Sequence, residues 1–135
     1  MTATAAARAT RTKGSAQGKG LLIERVFTKQ GVHPYDEVEW DRRDVVQTNW
    51  RTGETVFEQR GVEFPSSWSV NASTIVTTKY FRGALGSPQR EDSLRTLIDR
   101  VVRSYAKAGR DYAYFASDAD AEVFEHELTW MLLNQ

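Results

Sequence analysis

The sequence predicts an α+β fold in which small antiparallel strands form a hairpin and two to three helices follow. Polar and apolar residues alternate on both sides of a turn signal at Asn49–Gly53, which is typical of a two-stranded ribbon. From residue 94 onward, apolar residues recur at helical spacing. With 135 residues, 40% of them hydrophobic and 27% charged, the chain has the size and composition of one domain with one core.

The first twenty residues differ in composition from the rest. Residues 1–20 contain four basic and no acidic side chains and little to bury, so they are predicted to be a flexible basic leader. Residues 21–135 are predicted to form the folded domain. That part carries 14 basic and 18 acidic groups, so its formal charge is −4 although the whole chain is neutral.

The domain is predicted to begin with strands. Leu21–Phe27 is a short apolar segment and predicts a first strand, and Gly31–Asp36, which contains a proline, predicts the turn after it. Glu37–Trp40 and Thr55–Glu58 alternate polar with apolar residues. They are therefore predicted to lie in the two strands of an antiparallel ribbon.

Two helices are predicted next. The first is indicated by four apolar residues at helical spacing, which should form its buried face: Ala72, Ile75, Val76 and Tyr80. Pro88 suits the first turn of a second, longer helix, because its missing N–H would have had no partner there. That helix should extend to Gly109, and its apolar stripe comprises Leu94, Leu97, Ile98, Val101, Val102 and Tyr105.

A last helix is predicted after Ser117, which is a suitable N-cap. Asp118 and Asp120 would lie in its first turn, where carboxylates suit the positive end of the helix dipole. Its predicted buried face comprises Ala121, Phe124, Leu128, Met131 and Leu132. No Gly, Pro or basic cap follows the last apolar position, so either the helix frays or the sequence continues in a longer protein.

Composition excludes several classes of function. The chain has no cysteine, so it cannot by itself carry out thiol, disulfide or thiolate–metal chemistry. Its zero net charge gives no overall electrostatic attraction to nucleic acid or to an anionic membrane. No apolar run is long enough to span a bilayer. A cytoplasmic location is expected, and an organelle transit peptide is the alternative for the arginine-rich start.

The two histidines are the candidates for metal binding and for acid–base catalysis. Glu125, His126 and Glu127 suggest a metal site, but a zincin needs a second histidine four residues on, where this chain has Trp130. The acidic side chains are therefore expected on a solvated helix face. His33 is followed by the carboxylates Asp36, Glu37 and Glu39 and suggests acid–base chemistry, yet no nucleophile is identifiable. A surface histidine beside a turn proline is the expectation, with a small hydrolase as a minor hypothesis.

Nucleotide binding is the alternative function. Seven aromatic residues could stack on bases while the basic leader contacts phosphates, but packing is expected: Trp40, Trp50, Trp68, Trp130, Tyr80, Tyr112 and Tyr114. The glycine turns Gly18–Gly20 and Gly83–Gly86 match neither a P-loop nor a dinucleotide motif. Residues 41–44, with two arginines between two aspartates, are expected to form ion pairs on a solvated hairpin face.

Several segments in this order resemble the amino-terminal part of adenosylcobalamin-dependent (class II) ribonucleotide reductases that act on ribonucleoside diphosphates. The likeness covers roughly residues 20–135. Its carriers are Gly31-Val32-His33-Pro34-Tyr35-Asp36, Phe64-Pro65 with Trp68, Asn71-Ala72, Thr78-Lys79-Tyr80-Phe81-Arg82-Gly83, and the region from Tyr105 through Phe115 to Trp130. Ala113 stands where similar sequences would have glycine.

The resemblance implies a much longer polypeptide. In such enzymes this region precedes a ten-stranded α/β barrel, which is absent here and holds a radical cysteine and a redox pair of cysteines. Cobalt–carbon homolysis generates a thiyl radical there, and a dithiol reductant such as thioredoxin restores the redox pair. An Asn-Ser-Pro run that lines the substrate phosphate site would follow Gln135.

Because the chain has no cysteine, the resemblance assigns no catalytic, cofactor-binding or metal-binding residue within it. It implies a supporting role in which hairpin and helices pack against the barrel entrance. The implied partners are the remainder of the same polypeptide, the nucleotide substrates and the reductant, with no membrane and no nucleic acid.

Overall fold

A computed structural model describes residues 20–135 and has the predicted α+β architecture. A 3₁₀ turn, Pro34–Glu37, precedes a two-stranded antiparallel sheet of β1 (Trp40–Thr48) and β2 (Thr55–Pro65). Three helices follow: α1 (Val70–Lys79), α2 (Leu94–Asp111) and α3 (Asp118–Leu133). The hairpin and the three helices confirm the predicted order of elements.

The hairpin divides into a packed half and an exposed half. Its register runs from Trp40 opposite Pro65 to Thr48 opposite Thr55. In the packed half, which is the half near Trp40 and Pro65, Val62 and Phe64 are fully buried and form the centre of the core. β1 begins at Trp40 rather than at residue 37, because the 3₁₀ turn holds the preceding residues and the Trp40 indole donates to the Tyr35 carbonyl (2.9 Å).

The predicted first strand at Leu21–Phe27 is wrong. Among the described residues, this segment makes a single bridge, between Leu21 and Phe115. Its next backbone N–H groups donate to side-chain carboxylates of α3, beginning with Ile23 to Asp120 (3.0 Å). An extended segment whose donors are satisfied in this way needs no neighbouring strand.

α1 forms where it is predicted, but only part of its predicted apolar face is covered: Val76 packs against the core and Ala72 is half-buried. Ser73 and Thr77 are buried, whereas Ile75 and Tyr80 are exposed. The reason is the surface opposite, where the Arg43 guanidinium approaches the Ser73 hydroxyl (3.3 Å). A helix that packs against a cation presents small polar residues to it.

α2 is the amphipathic helix that the sequence predicts, with Ile98 and Val102 buried. It begins after Ser93, however, and not at Pro88. The Glu63 N–H donates to the Asp92 carbonyl (2.7 Å), which holds the preceding residues extended alongside β2. Gly109 lies inside the helix, where a Cβ atom would come within 2.3 Å of the Phe115 ring.

α3 has the predicted N-cap, since the Ser117 hydroxyl accepts from the Asp120 N–H. Its predicted buried face is only partly right. Ala121 is buried and Phe124 and Leu128 are half-buried, but Met131 and Leu132 are exposed. The other buried residues of the helix are Asp120, Glu127, Thr129 and Leu133. Two sides of α3 are covered, one by α2 and one by residues 21–28, so polar residues that bind this segment are buried too.

The end of α3 is capped by a side chain that the sequence reasoning passed over. The Asn134 backbone N–H and side-chain amide both donate to the Trp130 carbonyl (3.0 and 2.9 Å). The predicted leader lies outside the described residues except for Gly20 and stays a prediction. Within residues 20–135, none of the helices combines the length and the apolar character that crossing a membrane requires.

Candidate functional site

The most elaborate polar arrangement joins residues 21–28, which we call the amino-terminal strap, to α3. One oxygen of Glu127 accepts from the N–H groups of Val26 (3.1 Å) and Thr28 (3.0 Å) and from the Thr28 hydroxyl. The other oxygen accepts from the Phe27 N–H (3.0 Å). A single buried carboxylate therefore binds three consecutive backbone amides.

The charge on Glu127 is stabilised by this arrangement. Burial alone would raise the pKa of its carboxyl group, but hydrogen bonds from the Thr28 hydroxyl and from the three backbone amides outweigh burial. Its pKa is therefore lowered from the ordinary value. The carboxylate is an ion at neutral pH, and its partners are donors of this chain.

A second carboxylate, at the start of α3, also binds the strap. Asp120 accepts from the Ile23 N–H (3.0 Å) and from the Ser117 hydroxyl (2.6 Å). The Leu21 N–H donates to the Tyr114 carbonyl (2.7 Å), and the Ala116 N–H donates to the Leu21 carbonyl (3.0 Å). The strap is thus held along its whole length by residues that lie about a hundred positions later in the chain.

The two histidines meet beside the strap. The ring centroids of His33 and His126 are 5.2 Å apart in an edge-to-face arrangement. Arg25 donates to the Nδ1 atom of His126 (3.3 Å) and to the Thr28 hydroxyl (3.0 Å). Because a guanidinium group has only donors, Nδ1 of His126 must be the acceptor, and its proton must be on Nε2.

The geometry favours the neutral form of His126, and His33 has a structural contact of its own. His33 accepts the Tyr35 N–H at Nδ1 (3.1 Å), as the N-cap of the 3₁₀ turn. Burial, followed by the nearby His33 and Arg25, lowers the pKa of His126, and Glu122 and Glu125 oppose the shift. Protonation of His126 would place a positive charge beside the Arg25 guanidinium and would break the contact with it.

The geometry corrects the sequence-based view of residues 125–127. Glu125 pairs with Arg110 (2.7 Å), His126 turns to Arg25, and Glu127 is buried against the strap rather than on a solvated face. The three side chains diverge, and within residues 20–135 no group of three His, Asp or Glu residues is placed to hold a metal ion.

Within residues 20–135, His33 has only structural contacts. Its Nδ1 atom is occupied by the Tyr35 N–H, and the nearby Thr28 hydroxyl donates to Glu127 and accepts from Arg25. The carboxylates at residues 36, 37 and 39 extend along the turn that follows His33 and have no place in the described histidine cluster. The described contacts of this cluster hold the 3₁₀ turn and the strap in place.

The seven aromatic residues divide into two groups. Trp40, Trp68 and Trp130 are half-buried and pack as expected, whereas Trp50 and the three tyrosines are exposed. The Trp68 indole donates to the Leu133 carbonyl (2.8 Å), and the Trp130 ring stacks on Phe27 with centroids 4.3 Å apart. Trp50 lies in the hairpin turn. Tyr112 and Tyr114 stack on each other at the surface, with centroids 6.0 Å apart.

Arg43 corrects the predicted solvated face of residues 41–44. Its guanidinium binds both carboxylate oxygens of Asp41 (2.7 and 3.2 Å) and donates to the carbonyls of Trp68 (2.6 Å) and Pro65 (3.0 Å). It connects the end of β2 to the start of α1. The expected ion pair within this run is the one between Arg43 and Asp41, whereas Asp44 pairs with Arg60 outside it (3.1 Å).

Sequence reasoning missed a second arginine of this kind. Arg90 donates to the carbonyls of Thr77 (2.6 Å) and Phe81 (2.7 Å) and to the Gln59 side chain (2.9 Å). It holds the turn around Gly83, where φ is +90° and a Cβ atom would meet Gln89 at 2.5 Å. An isolated arginine in a loop carries no local pattern that reveals such a role.

Comparison with known proteins supplies the family. A family model described as class II vitamin B12-dependent ribonucleotide reductase matches residues 42–135. This chain belongs to that family. The resemblance inferred from the sequence is therefore confirmed, and the match is to the amino-terminal region of these reductases.

Relatives named vitamin B12-dependent ribonucleotide reductase include those of Streptomyces coelicolor, 67% identical over 99% of this chain, and Streptomyces avermitilis, 69% identical over 99%. A more distant one from Rhodopirellula baltica is 37% identical over 86% of the chain. The chain spans only 11–14% of the length of these reductases.

Cobalamin, which the family name implies, does not fit the residues described here. An open cleft of about 490 Å³ lies between the strap and α3, and its lining includes Arg25, Gln30, Asp120, Glu122 and Val123. Cofactor pockets are enclosed and mainly apolar. Here Arg25 and Asp120 already bind groups of this domain. We therefore assign no step of cobalt chemistry to these residues.

Proposed function

We propose that this chain is the amino-terminal part of an adenosylcobalamin-dependent reductase that converts ribonucleoside diphosphates to deoxyribonucleotides for DNA synthesis and repair. The identity of 67–69% over nearly the whole chain to reductases of that name supports the proposal. It includes the cobalt of the cofactor and a dithiol reductant such as thioredoxin. It also includes a cytoplasmic location, which suits a cysteine-free segment and a dithiol-dependent reaction.

Within that enzyme, we propose a structural role for residues 21–135. This role is supported by three charged side chains that bind backbone groups within the domain. Glu127, Arg43 and Arg90 each bind several such groups. The Trp68 indole binds the last turn of α3 at Leu133. This contact holds the last turn of α3 on the core of the domain.

The full-length reductase tests both parts of the proposal. Activity is measured with a ribonucleoside diphosphate, adenosylcobalamin and thioredoxin, and absence of product would contradict the proposed reaction. For the structural role we compare Trp68→Ala with Tyr80→Ala, because Tyr80 is an exposed aromatic residue that serves as the matched control.

Trp68→Ala should destabilise the protein by about 3 kcal/mol, since a large packed ring and its hydrogen bond are lost. Tyr80→Ala should cost less than about 1 kcal/mol. Turnover per folded molecule and affinity for cobalamin should stay within twofold of wild type in both. A tenfold fall in turnover of folded Trp68→Ala enzyme would contradict the structural role.

A further inference from the structure

The distal half of the hairpin extends beyond the core. We call residues 46–57 the hairpin arm, and Phe57 is its only residue that is not exposed. The exposed fraction of the side chains is 44% for Val46, 84% for Trp50 and 64% for Val56. The Arg51 guanidinium lies 4.8 Å from the centroid of the Trp50 ring and leaves most of that ring in solvent.

An arm of this kind is not expected to be stable by itself. A two-stranded ribbon without a packed face is marginal in water. Since the described sheet has only two strands, each strand also presents one unpaired edge. Exposed edges are commonly protected by lysine or proline, and residues 46–57 contain neither. The arm therefore has the features of a segment that is covered in the whole protein.

The chemistry of the arm indicates what covers it. Its charged residues are Arg51 and Glu54, so its net charge is zero. A nucleic acid requires a basic surface, and this arm does not provide one. Side chains alternate along a strand, so Val56 lies on the face opposite Phe57, away from the domain core. A neutral ribbon with exposed valines and a tryptophan fits an apolar surface.

We propose that the hairpin arm docks on the remainder of the same polypeptide, burying Trp50 and Val56 against an apolar surface of that remainder. This inference rests on the proposed function, in which the chain is about one seventh of a longer reductase. Three side chains bury only a few hundred Å², whereas a stable complex of separate proteins buries about 1,200 Å² or more. Covalent linkage supplies a millimolar effective concentration, so a small contact suffices within one chain.

The test is amide hydrogen exchange of residues 46–57 in the full-length reductase, with Trp50→Ser as the variant. Thr52→Ser is the matched control, because Thr52 lies in the same turn and serine keeps the hydroxyl that accepts from the Glu54 N–H. Wild type and Thr52→Ser should show equal protection of the arm at every protein concentration. Trp50→Ser should exchange at least tenfold faster in the arm, with α2 unchanged as proof that the domain remains folded.

Two results would overturn the inference. If the arm of the wild-type enzyme exchanges as fast as an unstructured peptide, nothing covers it. If its protection increases with protein concentration, the occupant is a second copy and not the same polypeptide. Reductase activity is measured separately on the same samples. An unprotected arm in an active enzyme refutes the docking alone, while a protected arm in a protein without reductase activity refutes the proposed function alone.

Discussion

Replacing Glu127 with glutamine should release the amino-terminal strap. The substitution keeps the size of the side chain but replaces one of its two accepting oxygens with an NH₂ group. That oxygen pair accepts from three consecutive amides, with Val26 and Thr28 on one oxygen and Phe27 on the other. In the variant, the side-chain NH₂ group faces a backbone N–H group, and two donors cannot form a hydrogen bond. The other backbone amides bind a neutral oxygen in place of a charged one.

The expected magnitude follows from the hydrogen bonds. A hydrogen bond to a charged group contributes about 1.5–3 kcal/mol, and a neutral one about half of that. One charged bond is lost and the others weaken, but water can reach Val26 and Phe27, which are exposed. We therefore expect a loss of about 2–3 kcal/mol in the stability of the strap, which accelerates local opening roughly 30- to 150-fold.

Amide hydrogen exchange of residues 26–28 in the intact protein measures this opening. The matched control is Glu125→Gln, which makes the same chemical change two residues earlier in α3. Glu125 forms a surface pair with Arg110, so its replacement should cost less than about 0.5 kcal/mol. Equal exchange rates at residues 26–28 in the two variants would refute the role assigned to Glu127.

Three further predictions concern single side chains. Within residues 20–135 the buried Thr77 hydroxyl has no hydrogen-bond partner, so Thr77→Val should raise the free energy of unfolding by about 1 kcal/mol in urea titrations, and an equal loss would show an unrecognised partner. Ala113 has φ +55°, so Ala113→Gly should raise stability by about 0.5–1 kcal/mol, whereas a decrease would contradict the strain. Because the pKa of His126 is lowered in the folded protein, its stabilising effect is present above about pH 6.5 and is lost as the pH falls through the folded pKa. His126→Gln should flatten the decline in stability between pH 7 and pH 5, and an unchanged decline would assign it to other groups.

The parts of the fold that the sequence predicts are those with local causes. The turn at Asn49–Gly53, the N-cap Ser117 and the apolar stripe of α2 each depend on neighbours within a few residues. Ala113 is similar, because a glycine is expected at that position and the backbone there has the positive φ that glycine favours. Turn, cap and periodicity patterns of this kind predict the structure correctly because no distant segment changes the conformation that they favour.

The errors have distant causes. Leu21–Phe27 looks like a strand, but its amides bind carboxylates about a hundred residues later. Thr77 and Ser73 are buried because Arg43 and Arg90 lie against α1. Hydrophobic periodicity ranks serine, threonine and glutamate as surface residues, so it cannot find a helix face that is buried against ions or amides. The candidate site was therefore the least predictable part of the molecule.

The separation in sequence between the strap and the carboxylates that bind it also affects how the domain folds during synthesis. Thr28 leaves the ribosome 99 residues before Glu127 does, and chain elongation proceeds at about 5–20 residues per second. For roughly 5–20 s, the first residues of the domain have neither Asp120 nor Glu127 to bind. The hairpin, α1 and α2 can assemble in that interval, but the two ends of the domain close only after α3 emerges. In the cell, the strap is thus synthesised before the other elements of the domain but is the last of them to reach its native place.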